Sequence, residues 1–289
     1  MPCSAVTLSL ATICAVVAVA LMAIAFSTDN WLYFEVKRAN IQSLAASHPD
    51  SGTILENLNT KYYYYTRTKG LFRICYPKER PPTVETYLSP VETHCNNVDY
   101  FIPDSRDATR GFSEDAMARL HMGRATVALF IVAFASVFAA FWTGVAGCWR
   151  RSPGNITATA ILMLFACLLS AGAMGLWHGV EYYEKEKIVG EEYYQQWSNI
   201  LRANTRVTYD WSYVVAWIGV GSSLVSAVLL SGAAVCLRGE REREEALNLQ
   251  YLMPVYPQKQ GQYAYASYPA PQAYPGPYFH SSQYGPYNY

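Results

Sequence analysis

The sequence predicts an all-α membrane protein: a four-transmembrane-helix bundle with a small extracellular antiparallel β-sheet in its first loop. Three observations predict it. Four long windows contain no Asp, Glu, Lys or Arg. Short segments between and after them concentrate Arg. The long first loop holds β-favouring aromatic runs and the only two cysteines remote from the windows. The whole-chain averages hide this pattern. Lys+Arg and Asp+Glu are 22 each and mean hydropathy is +0.02, values that would suit a soluble domain. Zero net charge also argues against a nucleic-acid binder, which needs a basic excess for phosphate contacts.

The windows run Ala5–Phe26, Ala125–Trp149, Ser152–Val180 (apolar heart Ile156–Trp177) and Trp211–Leu237. A bilayer core of about 30 Å takes roughly 20 apolar helical residues. Lipid leaves no partner for backbone N–H and C=O groups, so the spans are helices, at about 5–26, 125–149, 156–178 and 211–237. Ala23-Ile24-Ala25 has the small residues of a signal-peptide cleavage site. However, no Lys or Arg precedes Ala5, and the apolar run exceeds a signal core of about 7–15 residues, so it is read as a span. Arg150 and Arg151 between spans two and three, and Arg238, Arg241 and Arg243 after span four, are expected inside the cell. That places loops 27–122 and 179–210 outside and both termini in the cytoplasm, in a plasma-membrane protein. The sequon Asn155-Ile156-Thr157 then falls in a tight inner turn, too close to the membrane for glycosylation.

Small residues recur every four positions: Ser136/Ala140/Gly144, Ala171/Gly175/Gly179 and Ser223/Ala227/Ser231. Such rows let helices approach closely, within the bundle or against a partner's helix. No span contains Asp, Glu, Lys or Arg, and only His178 approaches, at the outer end of span three. Transport and proton relay need ionisable groups within the membrane, so a scaffold or accessory role is expected.

In the first loop, Ala39–Asn59 is mixed and reads as flexible. Tyr62-Tyr63-Tyr64-Tyr65-Thr66-Arg67-Thr68 favours β structure, Lys69-Gly70 reads as a turn, and Leu71–Tyr76 as a second strand. Cys75 and Cys95 face an oxidising compartment and are expected to form a disulfide. It closes a loop of about 20 residues, worth on the order of 3 kcal/mol. Cys14 and Cys167 lie in spans as packing residues. Cys3, Cys148 and Cys236, near the inner face, are palmitoylation candidates. The second segment carries Glu181, Tyr182, Tyr183, Glu184, Glu191 and Glu192; a helix continuing span three outward is expected. With Tyr62, Tyr63, Tyr64 and Tyr65, its residues Glu181, Tyr182 and Tyr183 are candidate partner-binding residues.

Beyond span four, residues 239–289 turn rich in Tyr and Pro, with ten of the 24 tyrosines from Tyr251 onward. Such a segment cannot bury enough apolar surface to fold alone, so a disordered cytoplasmic tail is expected. Pro254-Val255-Tyr256-Pro257 is a minimal SH3 signal, and Tyr251 and Tyr256 are phosphorylation candidates for SH2 docking. The five histidines are scattered, and no nucleophile elbow, phosphate loop or metal-ligand spacing occurs. No enzyme activity, cofactor or metal is expected.

Span one ends Ser27-Thr28-Asp29-Asn30-Trp31-Leu32-Tyr33. The first loop carries Gly70-Leu71-Phe72-Arg73-Ile74-Cys75 and then Cys95. Arg119 and Arg124 precede span two, and Tyr209-Asp210-Trp211-Ser212 opens span four. Together these resemble the claudin superfamily, over roughly residues 5–238. The Thr-Asp-x-Trp-Leu-Tyr and Tyr-x-Trp-Ser runs are most similar to the voltage-gated calcium channel gamma subunits and stargazin-type glutamate-receptor regulators. The resemblance implies a claudin-like fold with Asp29, Trp31, Gly70, Leu71, Phe72, Arg73, Arg124 and Trp211 as signature residues. It also implies an ion channel or receptor subunit as partner in the bilayer, with cell-cell adhesion as the alternative. Three features depart from that pattern. Phe72 stands where the family has Trp. The loop has two cysteines where stargazin-type proteins usually have four. The ending Tyr287-Asn288-Tyr289 is no PDZ ligand.

Overall fold

The computed structural model describes residues 3–47, 49–101 and 113–252. The chain divides into two units, Met1–Glu245 and Ala246–Tyr289. Of the second, only the end of the last helix is described. The tail, with Tyr256 and the Pro254–Pro257 run, lies outside the described residues, as do the side chains of Cys3 and Tyr251.

Four helices are long and apolar enough to cross a membrane: α1 (Cys3–Ser27), α4 (Glu114–Arg150), α5 (Pro153–Tyr182) and α7 (Trp211–Leu252). The protein is a multi-pass membrane protein. α4 starts well before its apolar window because Ser113 caps it, its side chain accepting from the Ala116 N–H at 3.2 Å, and Glu114 and Asp115 complement the helix dipole. α7 runs past the expected boundary at 239 to Leu252. Its charged turns support themselves, as in the Arg241–Glu245 pair at 3.1 Å.

Small residues do the packing. A methyl on Gly147 would lie 2.6 Å from the Ile156 side chain, and one on Gly219 2.8 Å from Met22. Thr143 and Thr159 share a hydrogen bond at 2.9 Å between α4 and α5, and Ser226 of α7 donates to the Ala11 carbonyl of α1 at 3.0 Å. Of the expected rows, Ser136/Ala140 and Ser223/Ala227 are buried, whereas Gly175 faces open space and Ser231 is exposed.

The head is a six-stranded antiparallel sheet in the order β4-β5-β3-β2-β1-β6. Its strands are β1 (Leu32–Val36), β2 (Arg67–Lys69), β3 (Arg73–Tyr76), β4 (Tyr87–Leu88), β5 (His94–Asn97) and β6 (Thr205–Tyr209). β6 comes from the segment between α5 and α7, which the sequence pattern assigned to helix; it pairs with all five residues of β1. The Cys75–Cys95 disulfide joins residues directly opposite on β3 and β5.

Two further expectations change. The stretch 39–59 is largely helical, forming α2 (Arg38–Ala45) and α3 (Ser51–Thr60). Ile41 and Leu58 gather on one side and bury against Val36, Tyr64 and Trp197. The tyrosine run is not a strand. Tyr62–Tyr64 form a single 3₁₀ turn, because ring burial in several directions prevails over period-2 alternation: Tyr63 stacks on Trp197 at 6.2 Å and tilts against Tyr64 at 5.3 Å. The second segment continues α5 as a π-helical turn (Tyr183–Lys187), then forms α6 (Asn199–Asn204) before β6.

Candidate functional site

The two runs that carry the sequence resemblance meet at one joint, where α1 gives way to β1 and β6 gives way to α7. The Asp210 N–H donates to the Trp31 carbonyl at 3.0 Å, and the Ser212 N–H to the Asn30 carbonyl at 3.1 Å. The Asn30 amide donates to Asp210 Oδ2 at 2.9 Å, and the Thr28 and Ser212 hydroxyls lie 2.8 Å apart. Asp210 also caps α7, accepting from the Trp211 N–H at 2.8 Å. Trp211 itself is half exposed, so its signature position marks a helix start rather than a core ring.

An indole just after a span is favoured at the membrane interface, where it keeps one wet edge. Trp31 is instead fully buried. Its N–H turns back to the Ala25 carbonyl at 2.8 Å, and its ring packs edge-on against Phe130 and Trp177. The joint and bundle therefore share one core, which includes Leu71 and Met174 and takes in Phe72 and Phe26 at its border.

Gly70 is required by close approach alone: a methyl there would lie 2.6 Å from the Asp29 Cα. Asp29 and Arg73 form a two-pronged pair, at 3.0 and 2.8 Å. Burial pushes the Asp29 carboxyl up, against the pull of Arg73. Tyr100 links Leu71 to α4, donating to the Leu71 carbonyl at 2.6 Å while its own carbonyl accepts from Arg124 Nε at 2.7 Å. Asp29, Trp31 and Trp211 thus sit in the joint and Gly70 to Arg73 beside it, while Arg124 connects to it only through Tyr100. Asp29, Cys75 and Cys95 also bring ligand-type atoms close together. However, both sulfurs are spent in the disulfide and Asp29 is held by Arg73, so the cluster does not offer the donors a metal needs.

Next to the joint, Lys69, Arg119 and Glu184 form a largely buried triad. Glu184 accepts from Lys69 Nζ at 2.5 Å and from Arg119 at 2.5 and 2.7 Å. Burial pushes the Lys69 amine down, and Glu184 opposes it. The triad joins β2, the start of α4 and the π-helical turn. Nothing local reveals it: Glu184-Lys185-Glu186-Lys187 reads as an ordinary exposed charge run. Glu181 accepts from the Tyr209 hydroxyl at 2.7 Å, and His178 Nε2 lies 2.8 Å from the Tyr213 hydroxyl.

Of the residues proposed to bind a partner, Tyr63 and Tyr64 are buried by the ring packing described above and Tyr65 lies beneath the Arg38 guanidinium, so all three present little surface. Tyr62 is half-buried and donates to Glu192 at 2.7 Å. Burial, reinforced by Glu192, pushes its phenol up. Tyr182 is half exposed, with Tyr183 packed edge-on against it.

A family model described as PMP-22/EMP/MP20/Claudin tight junction matches residues 16–232. No curated protein matches the chain significantly.

Proposed function

The chain belongs to the PMP-22/EMP/MP20/claudin family, and from that premise we propose that it is a non-enzymatic accessory subunit of gamma/stargazin type. It modulates gating or trafficking of a voltage-gated calcium channel or an ionotropic glutamate receptor. One observation carries this reading: the Thr28–Tyr33 and Tyr209–Ser212 runs, the parts of the sequence most similar to that branch, build a single hydrogen-bonded joint. The charge-free spans support it. They leave no ionisable pathway of their own, so an effect on ion flow must pass through a partner. In this reading the protein sits in the plasma membrane with Arg150, Arg151, Arg238, Arg241 and Arg243 in the cytoplasm, and the Tyr/Pro-rich tail is available to SH3 or SH2 domains.

Co-expression of the full chain with members of both channel classes tests the reading. Altered current kinetics or surface delivery in either class is expected; no change in both overturns it. Adhesion between cells is the second reading. It rests on the family's description and on the exposed Leu88 and Val91 around the β4–β5 turn. Aggregation of non-adherent cells on expression, without any channel effect, would favour it.

A further inference from the structure

Between the sheet and the second extracellular segment lies a cavity of about 470 Å³, within the range of small-molecule sites. Its floor is one face of the sheet, running from Asn96 through Ile74, Lys69 and Leu32 to Tyr209. Its roof includes Tyr193, Tyr194 and Trp197.

The charges on this wall are not equivalent. Lys69 and Arg119 both pair with the single carboxylate of Glu184, which leaves that triad with one net positive charge. Glu181 and Glu192 each accept a tyrosine hydroxyl. Arg67 differs. It is only 6% exposed and makes no ion pair among the described residues. One terminal nitrogen donates to the Tyr63 and Tyr65 carbonyls, at 3.1 and 3.4 Å. The guanidinium lies over Phe34, 4.3 Å from the ring centre. Its other nitrogens have no protein acceptor among the described residues. Glu184 and Glu192 act on the guanidinium from a distance but neither pairs with it; a planar anion complements a buried guanidinium that has no paired carboxylate. The carboxylates of Glu181, Glu184 and Glu192 on the same wall disfavour a dianion. The aromatic side chains favour a planar apolar body.

We propose that this cavity binds a small organic monoanion: a carboxylate that pairs with Arg67, on a planar apolar body lying among Phe34, Tyr62 and Trp197. The site borders the joint at Leu32 and Tyr209, and the proposal is the same whichever partner the bundle serves.

Titration of the full chain in lipid nanodiscs tests this, with empty nanodiscs as background. The probes are indole-3-acetate, tryptamine as its cationic counterpart, and inorganic phosphate. Saturable binding of indole-3-acetate alone is expected. Arg67→Gln should weaken it about tenfold or more, the loss expected when a charged hydrogen-bonding partner is removed. Because Arg67 is buried, Asn96→Trp serves as a second variant that fills the cavity and keeps the guanidinium. Near-UV circular dichroism and the intact disulfide report folding of each. Failure of indole-3-acetate to saturate at millimolar concentration overturns the site. So does equal binding of tryptamine, displacement by phosphate, or undiminished binding in either folded variant.

Discussion

Lys69 in the head and Ser226 in the bundle are both buried polar side chains, but they are satisfied differently. Lys69 depends on Glu184, 115 residues away in sequence, which in turn holds Arg119. Ser226 needs only a backbone carbonyl, that of Ala11. Most buried hydroxyls of the bundle ask for still less. Ser136 and Ser170 bond to carbonyls four residues back in their own helix. A hydroxyl satisfied locally tolerates its helix shifting against a neighbour. A buried ammonium does not, because losing its partner leaves a charge in a poor solvent. The bundle is therefore specified by shape and the head by particular pairings.

The sharpest way to break this comparison is Glu184→Gln. It strands Lys69 and Arg119, and a cost of about 3–5 kcal/mol to the head is expected, as for other broken buried pairs. Guanidinium denaturation followed by near-UV circular dichroism should show it, with the helical far-UV signal of the bundle lost later. Replacing all three partners with apolar residues of similar volume should restore most of the stability. Parallel loss of the far-UV signal in Glu184→Gln would mean that head and bundle are one cooperative unit, and the contrast would fall.

Alkaline titration separates the regions next. Burial pushes the Tyr63 and Tyr193 phenols up to about 12, from an ordinary value near 10. The folded state thus holds these protons more tightly than the unfolded chain. Stability from them is fully present below pH 10 and is lost as pH rises through 12. The head should lose near-UV signal across that window, with tyrosinate absorbance at 295 nm rising alongside. The spans, which contain no Asp, Glu, Lys or Arg and a single tyrosine, Tyr213, should keep their far-UV helix. A head insensitive to that window would show that the phenols are solvated.

These differences explain what could be read from the sequence. The four spans were legible because lipid imposes one rule on every residue of a window, and a charge-free run of 20 or more satisfies it locally. The Cys75–Cys95 bond was legible because two cysteines in an oxidising loop leave one pairing. The rest of the head was not. β6 joins the sheet through backbone bonds to β1, across more than 160 residues of sequence. Arg67 and Lys69 stand two apart in a strand pattern that fits water as well as a buried wall. Trp31 shows the same limit. An indole after a span suits a membrane interface, and only the returning Ala25 carbonyl and the Trp177 ring show that it is core.

The smallest expected effect bears on the bundle and on the function together. Gly219 and Gly175 are both small residues on long helices, and sequence rows treat such positions alike. Their surroundings differ. A methyl on Gly219 meets Met22 Cγ at 2.8 Å and the backbone of Met22 and Ala18 at 3.2 and 3.4 Å, whereas one on Gly175 meets nothing within 4 Å. Gly219→Ala must push α1 away from α7 and should cost about 1–3 kcal/mol, as overpacking does. Gly175→Ala should change stability by no more than about 0.5 kcal/mol. Thermal melts in nanodiscs check both. Gly175 then becomes diagnostic of what lies against it. If only lipid does, Gly175→Ala should leave channel modulation unchanged. If a partner's helix packs there, the same substitution should weaken co-purification with the channel while the melting curve stays in place. Shape specifies the bundle in either case, and the position tells whether that shape continues into a second protein.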